Sequence, residues 1–203
     1  YERDPIAIQR WKEEEYPRLK ARSRRRKADI FFLDEAGVRS DQVLGRTWGE
    51  KGKTPEVPTS GQRQSINAIS AVSARGAFWY GVYSGRFNAT RFVEFLKAFM
   101  RGKRRPVFLV VDGHPSHRAK MVSTYVRQSR GRLELHFLPG YAPELTPDEF
   151  VWNHLKREGT SKKPLKHNES LKLRVHKDLA SIKRRPALVR SFFHAPSVAY
   201  TTD

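Results

Sequence analysis

Three acidic residues could do chemistry together, and two of them stand where a carboxylate is costly unless something compensates it. Asp34 ends the apolar run Phe31-Phe32-Leu33, and Asp112 ends Val107-Phe108-Leu109-Val110-Val111. Glu149 belongs to Leu138-Pro-Gly-Tyr-Ala-Pro-Glu-Leu-Thr-Pro-Asp-Glu-Phe-Val-Trp152, which follows a third apolar run and opens a predicted helix. Apolar runs without alternation predict strands buried on both faces, and a carboxylate there needs a cation or hydrogen bonds. Hard cations such as Mg²⁺ are held by one or two carboxylates together with substrate phosphate oxygens. Two such ions roughly 3.5–4 Å apart support both the attacking and the leaving oxygen in phosphoryl transfer. Three carboxylates from separate elements suit that chemistry.

Each residue also has a plainer reading. Asp112-Gly113 is an ordinary turn sequence. Thr146 with Glu149 three residues later forms a capping box, with Pro147 at the favoured first helical position, and a Glu bonded back to Thr146 cannot also face a metal. Asp148 and Glu144 are nearby acids, but Asp148 lies about 100° around the helix from Glu149. His114 and His117 with Asp112 could form a zinc set, yet no further His or Cys ligand lies nearby. His117 could instead meet a substrate phosphate. Trp152, one turn past Glu149, reads first as core packing. Arg46, Trp48 and Lys53 lie in an early loop region that could touch DNA.

The elements that must position these residues follow from periodicity. Residues 1–28 read as a charged helical lead-in, with Ile6, Trp11, Tyr16 and Leu19 able to touch the body and a basic cluster from Arg22 through Arg24, Arg25 and Arg26 to Lys27. That cluster is read either as phosphate contact or as a solvated linker. Ile30–Leu33 predicts a strand, broken by Asp34-Glu35-Ala-Gly37; Arg46-Thr-Trp48 predicts another extended piece, and 49–64 a loop. Ser65–Ser73 and Ala77–Tyr83 predict a hairpin. Asn88 caps a helix with Phe92, Phe95, Leu96 and Phe99 on one face. Then come a central parallel strand at 107–111, a helix around Ala119–Val126, a strand at 133–138, the helix from Pro147, and a last helix over about 168–183. Strands and a hairpin first, then alternating helix and strand, predict an α/β domain with a mixed sheet, antiparallel early and parallel late. Ligands gather at the carboxyl ends of strands in such sheets.

Composition narrows the partner. Of 203 residues, 40 are Lys or Arg and 21 acidic, a net charge of +19. Solubility needs only about 2–8 charges, so a polyanion, most simply nucleic acid, is the expected partner. With no Cys, disulfides and thiolate metal sites are excluded. No run approaches the roughly 20 apolar residues of a membrane span, and no signal peptide is evident, so a cytoplasmic, nucleoid-associated protein is expected. The chain opens on Tyr1 rather than Met, as a fragment would.

Taken together, Asp34-Glu35-Ala-Gly, Arg46-Thr-Trp48-Gly with Lys53-Thr-Pro55, Val110-Val111-Asp112 with His117-Arg118, and the Leu138–Glu149 motif with Trp152 and Leu155-Lys156 resemble the catalytic domain of Tc/mariner-superfamily transposases, in their bacterial insertion-sequence branch. The resemblance spans about residues 29–158, between the lead-in and a basic helical extension at 159–203. It implies an RNase H-like (retroviral-integrase-like) fold, a five-stranded mixed sheet flanked by helices. It implies that Asp34, Asp112 and Glu149 are a catalytic triad holding two Mg²⁺ or Mn²⁺ ions, for phosphodiester hydrolysis at element ends and strand transfer into target DNA. With it goes a homodimer on DNA; the DNA contacts expected are His117, Arg118, Lys53, Arg46, Lys156 and, from the basic lead-in, Arg24, Arg25 and Arg26. Departures are Gly113 where the family often has Asn, and Thr146-Pro147 where it often has Asn-Pro. The family's N-terminal helix-turn-helix modules have no counterpart here. The competing expectations are a non-catalytic basic nucleic-acid-binding remnant, or another RNase H-like nuclease.

Overall fold

The computed structural model describes residues 3–41, 50–53, 63–161 and 164–202. Five strands form one sheet in the order β3-β2-β1-β4-β5: β1 Asp29–Arg39, β2 Ser65–Val72, β3 Phe78–Tyr83, β4 Val107–Val111 and β5 Leu133–Phe137. β1, β2 and β3 pair antiparallel, while β1, β4 and β5 pair parallel. The expected mixed sheet is therefore present; β1 is its middle strand, and its parallel neighbour β4 is fully buried. The hairpin turn holds Gly76 at φ 87°, where a Cβ would lie 2.8 Å from the Pro186 carbonyl oxygen.

One expectation fails in an instructive way. Asp34-Glu35-Ala-Gly37 does not break β1, which runs on to Arg39. Pairing with β4 stops at Phe32↔Val110, but antiparallel pairing with β2 continues from Asp34↔Ser70 to Arg39↔Ser65 and satisfies the backbone. Asp34 thus lies within a strand, just beyond the point where its parallel neighbour ends.

Strand alternation divides the core in two. Phe32, Phe108 and Val110 face one side, with the helices α1 (Pro5–Arg10), α2 (Tyr16–Arg26), α5 (Asp148–His154), α6 (Leu171–Lys183) and α7 (Pro186–Ser191). Phe31, Leu33, Leu109 and Val111 face the other side, with α3 (Ala89–Met100) and α4 (Lys120–Gln128). Asn88 caps α3 by accepting the Arg91 N–H. The last long helix begins at Leu171 rather than near Asn168, because Asn168 sits in left-handed backbone (φ 62°) and Ser170 supplies the cap.

Both flanks join the first core. Trp11, Tyr16 and Leu19 are buried with Val175, Leu179 and Phe193, and the Trp11 indole N–H donates to Tyr200 Oη (3.2 Å). α7 was not anticipated from the sequence. Among the described residues, no helix is long and apolar enough to cross a membrane. Arg46, Trp48, Thr54 and Pro55 lie outside the described residues.

Candidate active site

Period-two alternation sends neighbouring acids of β1 to opposite faces of the sheet. Asp34 follows Phe32 onto the α5 side, and Glu35 follows Leu33 onto the α3 side. Asp112 follows the last residue of β4, two residues past the point where β1 and β4 part. Asp34 and Asp112 line the same cavity, of about 420 Å³, with Gly113, His114, Tyr141 and Thr146.

Their environments differ. Burial pushes the Asp34 carboxyl up to about 7, Glu35 and Asp112 add to the rise, and the Glu35 N–H and Trp152 oppose it. Burial also works to raise Asp112, but hydrogen bonds from His117 and the His114 N–H (3.0 Å), with the charge of both rings, hold it below the usual range. The Asp112 side chain is 52% exposed, so the ionised acid faces solvent and the penalised one lies behind it.

His117 joins the two faces at the strand tip. Its Nδ1 lies 2.8 Å from Asp112 Oδ1 and its Nε2 lies 2.9 Å from Glu35 Oε1. Burial alone would lower its pKa; bonds and charges from the two carboxylates outweigh it and raise it to about 9. His117 is therefore a buried imidazolium, packed 4.4 Å from the Phe92 ring of α3. With both nitrogens engaged by carboxylates, His117 holds Asp112 in place. Glu35, Asp112 and His117 bring one ligand atom each within 4.8 Å of one another. Beside His117, this set holds no second imidazole and no thiolate. The remaining donors are carboxylate oxygens, suited to hard cations.

The turn carrying Glu149 is not built as a capping box. The Thr146 N–H donates to the Pro143 carbonyl (3.1 Å), and the Thr146 hydroxyl accepts the N–H of Asp148 (3.4 Å) rather than that of Glu149. The inward acid of this turn is Asp148, fully buried and bonded to Ser70 Oγ of β2. Burial drives its pKa well up, and the charge of Asp34 and Glu35 adds to it against the Ser70 and Thr146 bonds. Glu149 lies on the adjacent, half-buried flank of the first turn of α5. The structure thus brings Asp34, Glu35, Asp112 and Asp148 together, while Glu149 is half-buried and is not among the residues lining the cavity of Asp34 and Asp112. Trp152 is buried, and its indole N–H donates to Asp34 Oδ2 (3.1 Å). Sequence reasoning missed Glu35, Ser70 and the polar role of Trp152. Strand alternation and the i, i+4 step from Asp148 to Trp152 were the available signals.

The basic residues are spread more widely. Arg118 is exposed, with its guanidinium 4.1 Å from the Phe137 ring centroid. Lys53 is exposed and paired with Glu50 (2.6 Å), and Lys156 is half-buried. Arg24 and Arg25 are exposed on the last turn of α2, whereas Arg26 bonds Glu134 and the Gly131 carbonyl.

Comparison with known proteins gives this geometry a family. The model of the DDE superfamily endonuclease family matches residues 29–172. The chain is 21% identical over 128 residues to an uncharacterized 39 kDa protein of insertion element IS630 from Shigella sonnei, covering 62% of this chain and 37% of that protein. The fold is similar to that of Mos1 mariner transposase in its strand transfer complex (TM-score 0.64, 18% identity, all of this chain and 64% of that one). It is similar also to the Mos1 paired-end complex with Mn (TM-score 0.65, 17% identity, all of this chain and 64% of that one) and to the isolated Mos1 catalytic domain (TM-score 0.60, 16% identity, 97% of that chain). The expected RNase H-like fold holds, over a chain that spans about a third of the insertion-element protein. By its family model and its sheet, this chain belongs to the DDE superfamily endonucleases and carries the catalytic-domain fold of the Tc/mariner transposases.

Proposed function

We propose that this chain cleaves and joins DNA as the catalytic domain of an insertion-sequence transposase. The observation that carries the reading is the convergence of Asp34 and Asp112 on one cavity, in a chain of net charge +19. Asp34, Asp112 and Glu149 are the residues that would hold divalent cations, two Mg²⁺ or Mn²⁺ per site. Such ions, when bound, activate the attacking oxygen and stabilise the leaving oxygen of an in-line phosphoryl transfer.

The chain's own groups prepare that site. His117 keeps Asp112 ionised and aimed at the cavity. Burial keeps Asp34 short of countercharge, and Glu149, half-buried on the first turn of α5, would complete the set. Phosphate contacts from Arg118, Lys53, Lys156 and the exposed Arg24 and Arg25 would hold the DNA backbone by charge, with a salt-dependent affinity. The similar Mos1 chains are described in paired-end and strand transfer complexes. We extend to this chain binding at element ends and action as a pair of chains, with the division into a basic lead-in, a catalytic body and a basic extension.

The test is cleavage of plasmid and insertion-element-end DNA by wild type and Asp112→Asn with Mn²⁺ or EDTA. The expected result is metal-dependent nicking that Asp112→Asn abolishes without loss of fold by circular dichroism. Equal nicking by both proteins would overturn the reading. Preference for four-way junctions or RNA–DNA hybrids over element ends would move it to another nuclease of the same fold.

A further inference from the structure

Two hydrogen bonds tie α5 to the sheet, and both land on one cross-strand pair. Asp34 of β1 stands directly opposite Ser70 of β2. Directly opposed residues project from the same face. The Asp148 carboxylate accepts the Ser70 hydroxyl proton, and four residues on, the Trp152 indole N–H donates to Asp34 Oδ2 (3.1 Å). Residues i and i+4 share one side of a helix, about 6 Å apart along it. Neighbouring strands lie about 5 Å apart, so one side of α5 can meet both members of the pair. Ser70 and Asp148 are fully buried and Trp152 is 3% exposed, so water does not compete for these bonds. The Thr146 hydroxyl adds a third contact, 3.4 Å from Asp148 Oδ2.

Packing alone does not call for these groups. A phenyl ring would fill much of the Trp152 space, and a buried Asp that only packed would be a cost without return. The polar atoms instead do two things. A carboxylate whose Oδ2 is held by an indole N–H does not swing freely. A helix turn pinned at Asp148 has a fixed position for the next residue, Glu149.

We propose that Ser70, Asp148 and Trp152 form a clamp that orients Asp34 toward the cavity and sets the register of the turn bearing Glu149. Trp152 is the positioning residue for Asp34, and the Ser70–Asp148 pair locks α5 so that Trp152 reaches it. This rests on the reading of the cavity as a divalent-cation site. Partners that orient metal ligands from behind typically account for about 10–100-fold in metal affinity.

The test uses Trp152→Phe, which keeps the ring but not the N–H, and Ser70→Ala, which leaves Trp152 intact. Two quantities are read: the Mn²⁺ dissociation constant by calorimetry, and the Trp152 indole ¹⁵N–¹H resonance in metal-free protein, assigned by its disappearance in Trp152→Phe. Expected are Mn²⁺ binding weakened about 10–100-fold in Trp152→Phe, and an indole resonance that moves toward its solvent-exposed position in both Ser70→Ala and Asp34→Asn. A merely structural role would leave that resonance unmoved in Ser70→Ala. An unmoved resonance there, or Mn²⁺ affinity in Trp152→Phe within twofold of wild type, would overturn the clamp. Either result could stand beside metal-dependent cleavage that Asp112→Asn abolishes, so the clamp can fail without the proposed function failing. Should Trp152→Phe not fold, the indole resonance is assigned instead by eliminating those of Trp11, Trp48 and Trp79 with single Trp→Phe substitutions, and its position in Ser70→Ala decides alone.

Discussion

Strand β1 begins and ends its buried run with acids in opposite electrostatic situations. At its start, Asp29 is met by two arginines, Arg75 (2.9 Å) and Arg105 (3.2 Å). Beyond Leu33, the acids Asp34, Glu35, Asp112 and Asp148 gather, and among the described residues the charged side chain bonded to them is His117. This happens in a chain with 40 basic and 21 acidic residues. β5 repeats the first pattern, since Glu134 is taken by both Arg22 and Arg26. At Asp29 and Glu134 the fold supplies two arginines each; around the cavity, His117 serves Glu35 and Asp112. On the proposed function, this cluster of acids left short of cations inside a basic protein is the place that takes a cation from outside. The lesson is that local charge balance, rather than net charge, marks the chemistry.

The sharpest way to break this comparison is Asp34→Asn. DNA cleavage is expected to fall at least about 10³-fold, because a metal ligand worth several kcal/mol in the transition state is gone. The metal-free protein should become more stable at pH 8, because burial no longer opposes a charge there. Thermal denaturation in EDTA, with a nicking assay alongside, checks both signs; a destabilised variant would contradict the account of Asp34.

The next effect is on metal affinity. Asp34 has a folded pKa of about 7, above its ordinary value, so the metal-free fold binds more protons than the unfolded chain between about 4 and 7. Stability without metal therefore falls as pH rises through that window. Cation binding must displace that proton, so Mn²⁺ affinity should rise up to about tenfold per pH unit below 7 and flatten above it. Calorimetry in buffers of different ionisation enthalpy would detect the released proton.

A smaller effect belongs to the arginine-rich edge. Burial, with Arg22, lowers His136 to about 4, although its Nε2 lies 3.6 Å from Glu134. We give burial the greater weight, because Glu134 is already neutralised by two arginines. A depressed folded value means that stability is lost as pH falls from about 6.5 toward 4. Chemical denaturation at pH 7.5 and 5 should show a loss of about 1 kcal/mol that His136→Phe removes. Smallest of all, Asp29→Asn should cost less than about 1 kcal/mol of stability and leave Mn²⁺ affinity unchanged, since its pairs are partly exposed.

Much of this was legible beforehand. The hairpin, the Asn88-capped helix and the buried run before Asp112 follow from periodicity and turn residues, and they place Asp34 and Asp112 on adjoining strands. The length of β1 was not legible, because the partner that sustains it beyond Asp34 is β2, a long-range pairing that local sequence does not announce. Nor was the choice between adjacent acids: Asp148 and Glu149 differ by one helical step, and only the docking of α5 decides which faces in. Nor were the partners of His117, because nothing near it in sequence reveals that Glu35 waits on the other side. The lead-in looked peripheral because Trp11, Tyr16 and Leu19 are sparse among charges, yet they close the core against Tyr200 and Phe193.

The most direct test of the central claim is the anomalous scattering of Mn²⁺ in crystals of this chain. The account expects density between the Asp34 and Asp112 carboxylates, with Glu149 turned toward it, and none beside Asp29 or Glu134. Mn²⁺ bound elsewhere, with the cavity between Asp34 and Asp112 left empty at saturating metal, would contradict it.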